Sequence, residues 1–370
     1  MSIVAVGLSG GIDSGTTALM LKEQGYDVFG VTMWLFDHQQ HEIEAAKKVA
    51  AAIGIPHHVL DYRSAFNEKV ITPFIKAYES GKTPNPCLYC NKHFKYGQLI
   101  NDCIQLGADF FATGHYVKCE FDTVSGEYIL KKADYEKKDQ SYNLYHLDQN
   151  VLSRLIFPLG LASSKDEVRS HFSKLNVTLS QKKDSLGICF IDHKNHRRFL
   201  EELESPSSVE GDFVNQQGII LGTHSGFGHY TIGQKRRLGM GRDGQYLNGR
   251  YVVIAIHPEI NQVVLGRESD LLYTEVYCSE FNLISPSLKT QLLKNAQGFS
   301  ITAILSQWSE KYQGKLYLNN SGAKVIFDLP VRAPSLGQAM VCYKEDVLIG
   351  GGIISAFENT KKLYTNTKMT

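Results

Sequence analysis

Short apolar runs alternate with amphipathic stretches through the first half of the chain. Ile3 to Val6 forms the first apolar run, followed by glycine-rich residues and a helical stretch from Thr16 to Gln24. Val28 to Met33 predicts a second strand. Glu42 to Ile53 predicts a helix, because Ile43, Ala46, Val49, Ala50 and Ile53 recur on one face. Pro56 to Leu60 gives a third strand and Ala65 to Glu79 a second amphipathic helix. After a loop come a helix, Phe94 to Leu106, and a strand, Ala108 to Thr113. This alternation predicts an α/β fold: a parallel sheet with right-handed crossovers and helices on both faces.

Beyond Ser205-Pro206-Ser207-Ser208, which has the composition of a linker, the period changes. Tyr251 to Ile256, Gln262 to Leu265, Val276 to Ile284, Ser300 to Leu305, Lys324 to Leu329 and Gln338 to Tyr343 predict strands separated by turns. Three domains are expected: an α/β domain over residues 1–204, a small β-rich module over 209–270, and a β-barrel over 271–360. The polar stretch Glu358 to Thr370 is expected to fray.

Composition narrows the class. A chain of 370 residues exceeds what one compact core usually holds. The apolar fraction of 43% and mean hydropathy of -0.21 suit an ordinary globular protein. No apolar run approaches the roughly 18 residues of a membrane span. The start, Met1-Ser2-Ile3-Val4-Ala5-Val6, lacks the basic region of a signal peptide. A cytoplasmic protein is therefore expected, with its 7 cysteines as thiols. Net charge is +1, from 39 basic and 38 acidic residues, which argues against a general nucleic-acid coat. It leaves room for local basic patches: Lys131-Lys132, Lys137-Lys138, Lys182-Lys183, His196-Arg197-Arg198 and Lys235-Arg236-Arg237. Each alone is more often a solvated face than a binding site.

Gly7-Leu8-Ser9-Gly10-Gly11-Ile12-Asp13-Ser14 lies between a predicted strand and helix, where backbone amides and a helix N-terminus form an anion site. A Walker A loop needs Gly-Lys-Ser/Thr, and no such lysine is present. Ser-Gly-Gly-Ile-Asp-Ser instead resembles the PP-loop of the ATP pyrophosphatases, which cleave between the α- and β-phosphates. Asp13 has two readings, a Mg²⁺ ligand or a helix-start residue. Met33 and Ala112-Thr113-Gly114-His115-Tyr116 end neighbouring strands, so they line the same rim of the sheet.

Thr83-Pro84-Asn85-Pro86-Cys87-Leu88-Tyr89-Cys90 is expected to be a rigid, proline-set loop presenting a C-x-x-C. A third cysteine follows in Lys183-Asp184-Ser185-Leu186-Gly187-Ile188-Cys189-Phe190. A zinc ribbon needs a further pair of ligands at similar spacing, and the sequence has none.

The PP-loop, T-P-N-P-x-x-x-C-N, A-T-G-H-Y, Lys138-Asp139-Gln140-Ser141-Tyr142, K-D-S-x-G-I-C-F and Tyr230-Thr231-Ile232-Gly233-Gln234 occur in this order. Together they resemble the tRNA-specific 2-thiouridylases over nearly the whole chain. The resemblance implies a tRNA-uridine 2-sulfurtransferase that adenylates the C2 oxygen of a wobble uridine and replaces it with sulfur. It implies ATP and Mg²⁺, with Gly7 to Ser14, Met33 and Gly114 at the nucleotide. Cys90 becomes the nucleophile-side cysteine and Cys189 the persulfide carrier, the two ending as a disulfide. Asn85, Pro86, Cys87, His115, Lys138, Asp139, Gln140 and Gln338 become tRNA contacts. The implied partners are tRNAs for lysine, glutamate and glutamine, and a cysteine desulfurase or sulfur-relay protein. The remaining cysteines, Cys103, Cys119, Cys278 and Cys342, have no motif around them and are expected to be structural.

Two departures stand out. Many relatives place aspartate where Cys87 stands, as a general base or uridine contact, and the resemblance gives Cys87 the same catalytic position as a thiolate. A trio of Cys87, Cys90 and Cys189 also raises the alternative of a [4Fe-4S] cluster. The persulfide relay is preferred because nothing in the sequence demonstrates a cluster. Relatives commonly carry a basic, aromatic K-x-R-Y-R where this chain has Ile304-Leu305-Ser306-Gln307-Trp308, so a planar cation contact to tRNA is lost. Another PP-loop ATPase, or a tRNA-binding paralogue without catalysis, are the competing readings. The two cysteine loops and the intact PP-loop argue against them.

Overall fold

The computed structural model describes residues 1–176, 187–191, 195–307, 309–319 and 322–358. Its first sheet uses β1 (Ile3–Gly7), β2 (Asp27–Trp34), β3 (His57–Asp61), β4 (Phe110–Ala112) and, after a hairpin of β5 (Lys118–Asp122) and β6 (Glu127–Lys131), β7 (Leu155–Ile156). The order is β3-β2-β1-β4-β7 and every pairing is parallel. Val4, Ala5 and Val6 of β1 are each 0% exposed, as a central strand covered on both faces requires. Val4 and Val6 pack with helix α1 (Ile12–Glu23) and helix α2 (Gln40–Ile53), whereas Ala5 joins the aromatic core on the opposite face. The five periodic residues expected on α2 are its five buried ones. From β1 the chain steps outward to β2 and β3, then returns to place β4 on the other side. The order therefore switches between β1 and β4, the place where such sheets carry their ligands, beyond the carboxyl ends of the strands.

One expected loop is a helix. Pro86–Cys90 is helical and runs on through a π-helical segment, Asn91–Gln98, into Leu99–Gln105. Asn85 is the N-cap, its side chain accepting from the Cys87 amide at 3.1 Å, and Pro86 takes the first helical position. The C-x-x-C thus sits on an opening helical turn, and the helix expected from Phe94 starts eight residues earlier. The apparent linker is also a packed corner: Ser205 and Ser207 are buried and their hydroxyls lie 2.9 Å apart.

The middle sheet has the order β10-β11-β8-β9, from β8 (Gly211–Val214), β9 (Ile220–His224), β10 (Val252–His257) and β11 (Gln262–Gly266). The last part is antiparallel: β12 (Leu272–Leu283), β13 (Phe299–Ile304), β14 (Lys311–Asn319), β15 (Gly322–Arg332), β16 (Ala339–Lys344) and β17 (Val347–Glu358). Pairing of β12 with both β15 and β17 closes these six strands into a barrel. The hairpin from the first half extends this sheet through a pairing of β6 with β17. Ala339, Val341, Tyr343 and Leu348 share one core with Val31, Phe94 and Phe111. Trp308, Lys182-Lys183 and the tail after Glu358 lie outside the described residues. Among the described residues no helix is long and apolar enough to cross a membrane.

Candidate active site

The turn after β1 is shaped by close approach. Gly10 has φ +71°, and a Cβ there would lie 2.7 Å from Ala45 Cβ and 2.8 Å from the Glu42 carbonyl on α2. Ser14 Oγ receives the Ser9 amide at 3.2 Å and lies 3.2 Å from Ser9 Oγ, which folds the loop onto the start of α1. No side chain caps that helix, whose N-terminal amides therefore remain oriented as an anion site needs. Gly7 ends β1 and Ile12 opens α1, half-buried. Leu8 belongs to the core, 3% exposed, its amide bonded to the Val31 carbonyl at 2.7 Å. Met33 is half-buried near the end of β2, and its carbonyl accepts from Gln39 Nε2 at 3.0 Å.

The rim after β4 touches this loop directly. A Cβ on Gly114 would lie 2.8 Å from both the Asp13 carbonyl carbon and the Ser14 nitrogen, so the backbone approach requires glycine. His115 follows, with its Nδ1 at 2.8 Å from both Tyr96 Oη and Thr113 Oγ1. Burial holds its pKa well below the usual histidine value, so it meets a ligand as a neutral ring. Tyr116 donates to Asp13 Oδ1 at 2.8 Å.

The thiols gather from two distant segments. Cys87 exposes surface, Cys90 is half-buried, and Cys189 exposes surface although protein surrounds it densely. Burial pushes the Cys189 thiol up to about 12, reinforced by the neighbouring Cys90 and Cys87. Burial likewise pushes Cys90 up to about 11, with Cys87 adding to the rise. The Lys95 ammonium pulls all three back down, and it also lowers His115. Lys95 thus acts electrostatically on all three thiols and on the His115 ring. Lys95 lies in the last turn of the π-helical segment that continues the turn carrying Cys90. Lys95 was missed from the sequence because no local motif marks it. Cys189 is placed by the next residue: Phe190, 5% exposed, packs edge-on against Phe66, Phe74 and Phe199 at centroid distances of 5.8, 5.5 and 5.9 Å. Residues 183–186 of that motif lie outside the described residues.

Several expected tRNA contacts are engaged within the protein. Asp139 accepts from the Ala133 amide at 3.0 Å and from Ser141 Oγ at 2.7 Å. Gln140 accepts from the Tyr116 amide at 3.1 Å and donates its own amide to the Tyr116 carbonyl at 2.9 Å. These two tie their loop to the A-T-G-H-Y rim, while Lys138, half-buried, closes a 3-10 turn beside them. Gln338 on the barrel donates to the Thr83 carbonyl at 2.8 Å and so braces the segment leading to Asn85, Pro86 and Cys87. One residue in each of three basic runs is paired internally: Lys131 with Glu120 at 2.7 Å, Arg198 with Glu202 at 2.7 Å, Lys235 with Glu268 at 2.8 Å. Cys103, Cys278 and Cys342 are buried in apolar cores and Cys119 is half-buried.

The two expected metals bear on different side chains. Both Asp13 oxygens are held by Lys165 Nζ, at 2.6 and 2.7 Å, so a Mg²⁺ ion there would have to displace the lysine. Among the described residues no three Cys, His, Asp or Glu side chains converge as metal ligands, the cysteine trio included.

Three sequence-family profiles match in order. One described as a tRNA methyl transferase HUP domain covers residues 2–193, a tRNA methyl transferase PRC-barrel domain covers 197–267, and an aminomethyltransferase beta-barrel domain covers 275–354. The chain is 40% identical over 356 residues to the tRNA-specific 2-thiouridylase MnmA of Desulforudis audaxviator (strain MP104C), covering 96% of this chain and 99% of that protein. It is 39% identical over 369 residues to the tRNA-specific 2-thiouridylase MnmA 1 of Clostridium tetani (strain Massachusetts / E88), covering 96% and 98%. The methyl-transferase wording of two profiles disagrees with these names, and the end-to-end matches carry more weight than a domain label. A solved structure of the U34-tRNA thiolase NcsA from Methanococcus maripaludis with its [4Fe-4S] cluster is 21% identical, covers 55% of this chain and 67% of that one, and has a TM-score of 0.32. That likeness is too low to bear on the cysteines.

Proposed function

The chain belongs to the tRNA-specific 2-thiouridylase family, and from that premise we propose that it replaces the C2 oxygen of a tRNA wobble uridine with sulfur at the expense of ATP. The uridine leaves the anticodon stack and enters beside Asn85, Pro86 and Cys87. Gly7 to Ser14, with Met33 and Gly114, hold the nucleotide. The uridine O2 attacks the α-phosphorus as the N3 proton passes to water. The bond to the bridging oxygen breaks, and pyrophosphate leaves with the electron pair. The poor leaving oxygen of a carbonyl is thereby converted into AMP.

Sulfur arrives as a persulfide on Cys189, loaded by a cysteine desulfurase or a relay protein. Its terminal sulfur attacks C2 and AMP departs. The Cys90 thiolate then attacks the Cys189 sulfur, the bond to the transferred sulfur breaks, and 2-thiouridine is released with the electron pair. If Cys90 attacks first, hydrosulfide is released and itself attacks C2. Both orders leave a Cys90–Cys189 disulfide for an external dithiol to reduce. Lys95 favours the anionic sulfur in either order. His115, neutral, serves as a hydrogen-bonding group at the base and not as a phosphate cation. Lys138 supplies charge to the tRNA backbone. The tRNAs for lysine, glutamate and glutamine are the proposed substrates. No step is assigned to a cluster or to a metal on Asp13.

The observation that carries this reading is one core that holds Cys90 together with Ile188 and Phe190, the neighbours of Cys189, while Tyr96 from the same helical run bonds His115, one residue past the Gly114 contact with the phosphate loop. The test is a thiolation assay with Cys90→Ser and Cys189→Ser enzymes. Each is expected to lose 2-thiouridine formation while still binding tRNA and ATP. Full thiolation by either variant removes the relay. Stoichiometric iron and sulfide in anaerobically purified enzyme, needed for turnover, would replace it by a cluster mechanism.

A further inference from the structure

The phosphate loop contains no lysine, yet breaking the α–β bond of a nucleotide builds negative charge on the departing pyrophosphate. A cation stands beside the loop on another element. The helix Lys165–Ser173 lies against α1, where Thr16 Oγ1 donates to the Val168 carbonyl at 3.2 Å and Phe172 shares a core with Ala18 and Leu21. Its first residue, Lys165, is 7% exposed. The Lys165 ammonium reaches both oxygens of Asp13, at 2.6 and 2.7 Å, and lies 5.9 Å from the centre of the Tyr116 ring. Asp13 is the second residue of α1, at the mouth of the loop.

A purely structural ion pair explains this poorly. The Lys165 side chain gives up most of its hydration for a carboxylate that is itself 31% exposed, and desolvation of the ammonium offsets part of the attraction. Thr16, Val168 and Phe172 already fasten the two helices. A carboxylate at the mouth of a phosphate site repels the phosphates unless a cation neutralises it. The pair keeps the empty site near neutrality and stores an ammonium within a short swing of the loop.

We propose that Lys165 is the residue that binds the β- and γ-phosphates of ATP, exchanging the Asp13 carboxylate for the pyrophosphate as it leaves. This rests on the ATP-cleaving reading above and specifies it. While the bond from the uridine O2 to the α-phosphorus forms and the α–β bridge breaks, the electron pair stays on pyrophosphate. Lys165 meets that charge as an ammonium throughout, and no proton moves at the lysine. Asp13 holds Lys165 in place between turnovers.

Calorimetric titrations of the full-length protein with ATP, AMP and inorganic pyrophosphate separate this role from a structural one. Lys165→Met is expected to weaken ATP and pyrophosphate roughly ten- to a hundredfold while AMP stays within about twofold, and Lys165→Arg to recover most of the loss. Equal losses for AMP and ATP, or ATP affinity unchanged in Lys165→Met, would overturn the inference. If Lys165→Met does not fold, Asp13→Asn is the second test. Releasing the lysine should tighten pyrophosphate binding without added metal, and weaker binding overturns the assignment. A wild-type protein that binds AMP but neither ATP nor pyrophosphate refutes the lysine role alone. One that binds no adenine nucleotide refutes the proposed function as well.

Discussion

At the scale of single residues, the thiols set the chemistry. Cys90 and Cys189 are pushed up to about 11 and about 12, so at neutral pH they are protonated and weakly nucleophilic. The sign is plain: a raised thiol pKa means that thiolate, and with it reactivity, grows as pH rises towards those values. Alkylation of Cys90 by iodoacetamide, followed by mass spectrometry, is expected to accelerate about tenfold per pH unit from pH 7 to beyond pH 9. A plateau already at pH 8 would show that Lys95 outweighs burial. Phe190→Ala is expected to cost about 3 kcal/mol and to slow disulfide formation between Cys90 and Cys189, with ATP binding unchanged. Equal disulfide rates in mutant and wild type would remove Phe190 as the anchor. Cys90 and Cys189, the two cysteines proposed for the relay, stood out in the sequence because they sit in dense motifs. Lys95 and Lys165 did not, because a cation's meaning depends on what the fold brings beside it, here Cys90 and Asp13.

At the scale of elements, the site is made by the meeting of two strand ends. The turn after β1 and the rim after β4 touch at Gly114, against the backbone of Asp13 and Ser14. Backbone cannot yield as a flexible side chain can, so Gly114→Ala must push the rim outward at a cost of about 1–3 kcal/mol. ATP affinity is expected to fall at least roughly tenfold. An unchanged affinity by titration would show that the rim does not shape the nucleotide site. The alternation of strands and helices was legible from periodicity, and the buried stripe of α2 matched residue for residue. The cysteine turn was not, since Pro84 and Pro86 suggest a loop while Asn85-Pro86 is equally a helix start. The hairpin of β5 and β6 escaped notice because its exposed Phe121 and Val124 break the apolar alternation.

At the scale of the whole molecule, the barrel shares a core with the first half and is not a free appendage. Thr83 is held from both sides, its amide by the Leu336 carbonyl at 2.8 Å and its carbonyl by Gln338 at 2.8 Å. Tyr142 Oη donates to the Ala339 carbonyl at 2.9 Å, and Tyr343, 0% exposed, lies in the core of the first half. Residues 1–204 alone are therefore expected to lack the sharp thermal transition of the full chain. A cooperative melt within about 5 °C of the intact protein would contradict this. Sequence patterning distinguished the parts by period, but contacts between residues some 200 positions apart leave no periodic signal.

The most direct test of the sulfur relay is a single turnover with enzyme carrying labelled persulfide on Cys189. With ATP and tRNA present, the account predicts one labelled 2-thiouridine and one Cys90–Cys189 disulfide per turnover, and neither without ATP. Labelled 2-thiouridine formed while both cysteines remain reduced would contradict it.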